Sequence, residues 1–143
     1  MALRDIQFFS EDIDFKVSAK QKIREWIFSA IQQEGFKRVG DLSFVMCSDD
    51  YLLEINKKYL NHDTLDIVTF DSSEIQEMIA GDIFISVDRI RENAEKFSVT
   101  ENEELHRVII HGILHLCGYH DKKQQEKALM RKKEDYYLSQ RNF

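Results

Sequence analysis

Residues 100–118 constrain this chain most. Thr100-Glu101-Asn102-Glu103 has the form of a capping box, with Thr at the N-cap and Glu at N3. Leu105, Val108, Ile109, Ile113 and Leu116 then recur at helical spacing. Gly118 stands where a C′ stop belongs, so the helix should end near Cys117. Its apolar face must be buried, and the rest of the pattern supplies what could bury it. Ser18 to Gly35 reads as a second helix, with Ile23, Trp26, Ile27, Ala30 and Ile31 on one stripe. Leu3–Ser10, residues 42–48 (LSFVMCS), Asp66–Phe70 and Asp82–Ser86 read as strands. Ser48-Asp49-Asp50 should cap a helix carrying Leu52, Leu53, Ile55, Asn56 and Tyr59, and Val87–Phe97 and Lys122–Leu138 read as two more helices. An acidic connection with a short helical turn near Ile75–Ile79 should join the third and fourth strands. This order predicts an α/β fold, α+β-like, with a single layer of a small, mixed four-stranded sheet and about five helices.

The chain of 143 residues suits one domain over 1–143, with no repeat, linker or low-complexity tract. Apolar residues make up 43% and charged residues 32%, a globular composition large enough to bury a core without a disulfide. Cys47 and Cys117 lie 70 residues apart, which gives no disulfide framework and points to a reduced, cytoplasmic protein. No segment is long and apolar enough for a membrane span, and acids occupy the N-terminal stretch where a signal peptide would be apolar. The net charge is −6, from 26 acids against 20 bases, so nucleic-acid contact would need a local basic patch.

Chemistry concentrates in residues 111–121, HGILHLCGYHD. His111 and His115 are i and i+4, about 40° apart at ~3.6 residues per turn, so their rings can converge on one ion. Gly118 lets the chain turn, and His120 and Asp121 follow close enough to swing back over the pair. A lone i,i+4 histidine pair is commonly just a surface or core feature. The helix-ending glycine and the His-Asp that follows make a metal site the better reading. The same spacing follows metzincin proteases, but Gly112 stands where those enzymes need their general-base glutamate.

The segment resembles the YbeY family of metal-dependent endoribonucleases, whose signature is HGxLHLxGYDH. The match holds at His111, Gly112, Leu114, His115, Leu116, Gly118 and Tyr119. Upstream, Asn56, Tyr59 and HDTLDIVTF (62–70) resemble the family segment ending TDVLSF, and Gly81-Asp82-Ile83 with Ser86 resembles its GDI-x-IS strand. Three departures stand out. His120-Asp121 reverses the signature's Asp-His, Leu60 replaces an arginine expected to touch RNA phosphate, and HDTLDIVTF is one residue short.

The resemblance implies a mostly parallel sheet and one Zn²⁺ held by three side chains with a fourth position open. The family's third ligand aligns with Asp121, giving His111, His115 and Asp121, with His120 one residue out of register. It also implies cleavage of single-stranded RNA in 16S rRNA 3′-end maturation and ribosome quality control, with ribosomal RNA and the ribosome or its small subunit as partners. The swap of imidazole for carboxylate should leave bound water less acidic. Two other readings stay open: a ribosome-associated binding module whose zinc is structural, and a hydrolase of another ester or peptide bond.

No general base is assigned. His62, Asp63 and Asp66 lie in the family-matched loop, where turn or capping roles are commoner. His106 lies about 140° from His111 around the helix and reads as surface. Glu104 and Arg107 share the His111 face, and Arg107 could meet phosphate or merely be solvated. Lys122, Lys123, Lys127 and Arg131–Lys133 could form a phosphate-binding cluster, diluted by Glu126, Glu134 and Asp135. Tyr119 could stack on a base or pack on the helix end, and Cys117 reads as a small hydrophobe rather than a thiolate ligand.

Overall fold

The structure, a computed structural model, describes residues 5–55, 67–71 and 77–143. The elements run β1 (Ile6–Ser10), α1 (Lys20–Gln33), β2 (Arg38–Cys47), α2 (Asp49–Ile55), β3 (Ile67–Asp71), β4 (Met78–Ser86), α3 (Val87–Lys96), α4 (Glu101–Leu116) and α5 (Gln124–Leu138). The sheet order is β1-β2-β4-β3. Strands β1, β2 and β4 are parallel, with Phe8 opposite Phe44 and Phe44 opposite Ile83. Edge strand β3 runs antiparallel to β4, with Ile67 opposite Ile85.

Two strands are longer than the apolar runs suggest. Arg38 and Val39 pair with Met78 and Ile79 beyond a register shift in β2, which extends both strands at their N-terminal ends. Met78 and Ile79 are therefore strand residues rather than the end of a helical turn; residues 72–76 of that expectation lie outside the described residues.

The apolar patterns explain the packing. All five stripe residues of α1 are buried, as are Ile83 and Ile85 of β4 and Val108, Ile109 and Ile113 of α4. Each of the valines and isoleucines among them contributes about 1.5–3 kcal/mol on leaving water. Helix α4 is central: it touches β3, β4, α1, α3 and α5. Gly112 allows this. A Cβ there would stand 2.8 Å from Ile67 Cδ1 and 3.0 Å from Ile83 Cγ2, so the helix backbone lies directly on the sheet. Among the described residues, no helix is long and apolar enough to cross a membrane.

Candidate metal centre and its cavity

Helix α4 is capped at both ends, which makes it a rigid carrier. Thr100 Oγ1 accepts from Glu103 N at 3.0 Å, and Glu101, Glu103 and Glu104 place negative charge at the positive end of the helix. At the other end Gly118 takes a φ of 107°, a left-handed value that suits glycine. Gly118 N donates to His115 O and Tyr119 N to Leu114 O, the paired bonds of a Schellman stop. The chain therefore reverses just after the second histidine.

That reversal brings Asp121 back over the helix. The Nε2 atoms of His111 and His115 lie 2.9 Å apart. Asp121 Oδ2 is 3.1 Å from the first and 3.5 Å from the second. Ligand atoms of these three residues all lie within 4.8 Å of one another. The outer ring nitrogens decide what the inner ones offer. His115 Nδ1 is 3.0 Å from the Tyr119 carbonyl, and His111 Nδ1 is 2.6 Å from Glu134 Oε2. A carbonyl and a carboxylate only accept, so each Nδ1 carries a proton and, in the neutral ring, each Nε2 is left with a lone pair. Burial, and then the neighbouring His111, lower the pKa of His115 and keep it neutral. Two lone pairs and a carboxylate facing one point call for positive charge between them, a shared proton or a metal ion. This N₂O donor set suits a divalent metal.

Glu134 went unrecognised in the sequence because α5 is so heavily charged. It is buried, and its other oxygen accepts from Arg107 at 2.9 Å. A usable signal was present: Met130, Glu134, Tyr137 and Leu138 share the buried face of α5, and a carboxylate on such a face needs a partner.

Glu34, just past α1, is a second missed residue. Its carboxylate accepts from the Tyr119 hydroxyl at 2.6 Å, from the Tyr137 hydroxyl and from Lys133 Nζ at 3.1 Å. Burial works against its charge, but these donors outweigh burial and hold its pKa below the usual carboxylate range. Tyr119 is thus fastened by its hydroxyl and packs against the core at the helix end, the second of the two expected roles. Lys133 is likewise occupied by Glu34.

Other expectations change. His106 is buried rather than on the surface, because α1 and the chain's last residues cover that side of α4. Its ring lies 5.9 Å from Trp26 and 5.2 Å from Phe143, and its Nδ1 is 2.7 Å from Arg141. Burial, then the Arg141 charge, push its pKa down to about 4. Arg107 neither awaits phosphate nor sits in solvent; it bridges Glu134 and Asp135 at 2.9 and 2.8 Å. His120 is exposed and outside the three-residue group. Cys117 is half-buried, its thiol pushed up to about 12 by burial. Asn56, Tyr59, Leu60, His62, Asp63 and Asp66 lie outside the described residues.

A cavity of about 290 Å³ opens beside the three-residue group, lined in part by His111, Asp121 and Glu134. Lys127 and Arg131, from the expected basic cluster, stand along it.

The sequence profile described as Endoribonuclease YbeY matches residues 5–142. The chain belongs to that family. Among YbeY relatives, Endoribonuclease YbeY of Cytophaga hutchinsonii is 46% identical over 139 residues, covering 96% of each chain. That of Flavobacterium psychrophilum is 49% identical over 131 residues, covering 91% of this chain and 92% of its own. A solution structure from Thermotoga maritima superposes with a TM-score of 0.62 at 27% identity, covering 94% of this chain and 87% of that one. The YbeY match spans the sheet as well as the ligand helix, so it concerns the whole scaffold and not the short motif alone.

Proposed function

We propose that the chain is a zinc-dependent endoribonuclease that cuts single-stranded RNA, with His111, His115 and Asp121 as the metal ligands. The observation that carries this reading is the convergence of two imidazole lone pairs and one carboxylate at a helix end, inside a family of named endoribonucleases. Three protein ligands leave a position for water or substrate, the pattern of catalytic rather than structural zinc. When bound, the ion supplies Lewis-acid polarisation of a phosphoryl oxygen and a more acidic water. Glu134 and the Tyr119 carbonyl hold the two rings in their ligating tautomers, and Lys127 and Arg131 offer charge to phosphate.

Gly112 argues against a metzincin-type peptidase. Its Cα faces Ile67 and Ile83, so no side chain at that position has room to serve as base. We further propose that residues 1–143 act as one domain in the cytoplasm, on ribosomal RNA at the ribosome or its small subunit, in 16S rRNA 3′-end maturation and ribosome quality control.

The test is cleavage of a single-stranded RNA by the purified chain, after metal is stripped and then zinc restored. Zinc-dependent cleavage that is absent in His115→Ala and weak on duplex RNA is expected. Equal activity in His115→Ala would refute the assignment.

A further inference from the structure

We infer that the cavity beside the metal ligands is a subsite for one unpaired nucleobase, with Phe97 as its stacking platform. The inference rests on the endoribonuclease reading and adds to it the part of the RNA that the site grips.

Phe97 caps the C-terminus of α3 and is 58% exposed, more than any other exposed large apolar side chain among the described residues. Single exposed apolar residues are ordinary, but this one stands on the wall of the cavity that holds His111 and Asp121. Its backbone is fastened: Phe97 N donates to Asn93 O at 2.9 Å, and Val99 N donates to Ala94 O at 2.9 Å. Asn93, one turn earlier on α3, lines the same cavity and brings an amide that can donate and accept. Val108, Met130 and Ile67 supply an apolar wall.

Charge decides which part of a nucleotide enters. Buried Glu104 and Glu134 line the cavity together with Arg107, whose guanidinium is already paired with Glu134 and Asp135, so the interior offers a phosphate no uncommitted cation. Exposed Lys127 and Arg131 line it too, and Lys96 Nζ lies over the Phe97 ring, 5.4 Å from its centroid, on an exposed side chain that an entering base would displace. Cations at solvent-facing positions and carboxylates within leave the phosphates outside and the uncharged base inside. A base can enter only when it is out of a stacked duplex, so the same geometry selects single strands.

The experiment measures binding, with no need for turnover. Fluorescence anisotropy compares a labelled single-stranded oligoribonucleotide with an abasic ribose-phosphate chain of equal length, on the metal-free and zinc-loaded full chain. Base–aromatic stacking predicts about a five-fold or greater preference for the base-bearing strand. Phe97→Ala should erase that preference, and Phe97→Trp should restore it, with zinc content unchanged in both. A preference that survives Phe97→Ala overturns the inference, as does equal binding of the two strands by the wild-type chain. Both results leave the endoribonuclease reading standing if the wild-type chain still cleaves RNA. A wild-type chain that neither binds nor cleaves RNA overturns both.

Discussion

Removing the carboxylate behind His111 separates holding a ligand from being one. Glu134 Oε2 accepts a hydrogen bond from His111 Nδ1 at 2.6 Å, and Oε1 accepts one from Arg107 at 2.9 Å. In Glu134→Ala, His111 keeps its place on α4 but loses the group that sets its tautomer and ring angle. Partners of this kind are worth about 10–100-fold in metal affinity, or about 1.4–2.7 kcal/mol. The substitution also removes one carboxylate from Arg107. That side chain is 21% exposed and retains Asp135 at 2.8 Å, so the stability loss should fall below the ~3–5 kcal/mol of a fully buried broken pair, at about 2 kcal/mol. Glu134→Gln keeps an acceptor oxygen for one partner but turns an NH₂ toward the other. Its zinc affinity should fall about ten-fold, within that same range. Competition against a chromophoric zinc chelator reads the affinity, and urea melts of the metal-free variants read the stability. Zinc binding by folded Glu134→Ala within two-fold of wild type would refute the orienting role.

Three further outcomes follow from the geometry. Asp121→Ala should lose stoichiometric zinc while His120→Ala keeps it; metal analysis after dialysis reads both, and the reverse result would move the third ligand to His120. His106 is neutral when folded, with its pKa lowered from 6.5 to about 4, so the unfolded chain binds the extra proton between those values. Its contribution is fully present above pH 6.5 and is lost as pH falls toward 4, at about 1.4 kcal/mol per pH unit. The urea midpoint of wild type should therefore fall faster across that window than that of His106→Gln, and parallel curves would count against it. Gly112→Glu drives a carboxylate against Ile67 and Ile83 and should cost more than about 3 kcal/mol, read as lost soluble yield or a lower urea midpoint. An unchanged midpoint would show that the helix does not press on the sheet there.

The ligand helix was legible because its signals are local. A Thr100 N-cap, an apolar stripe and a terminal glycine all act within one segment, and the i,i+4 histidines inherit their convergence from it; the Glu103 half of the expected capping box is taken instead by Arg141. The supports were not legible, since they come from elsewhere in the chain. Glu34 reaches Tyr119 across 85 positions, and Glu134 reaches His111 across 23. His106 was misjudged by angle alone: facing away from His111 means facing solvent only if nothing covers that side, and Trp26 and Phe143 do. The edges of β2 and β4 were missed because Arg38 and Met78 are held by each other's backbone rather than by apolar alternation.

The tether from Glu34 to Tyr119 has a practical consequence for anyone who would move this site. Transplanting residues 100–121 onto a foreign scaffold would carry every donor atom and lose the guy-rope that sets the returning loop. Such a graft should capture zinc loosely and in several arrangements, whereas the native chain holds the three donor groups together before any ion arrives.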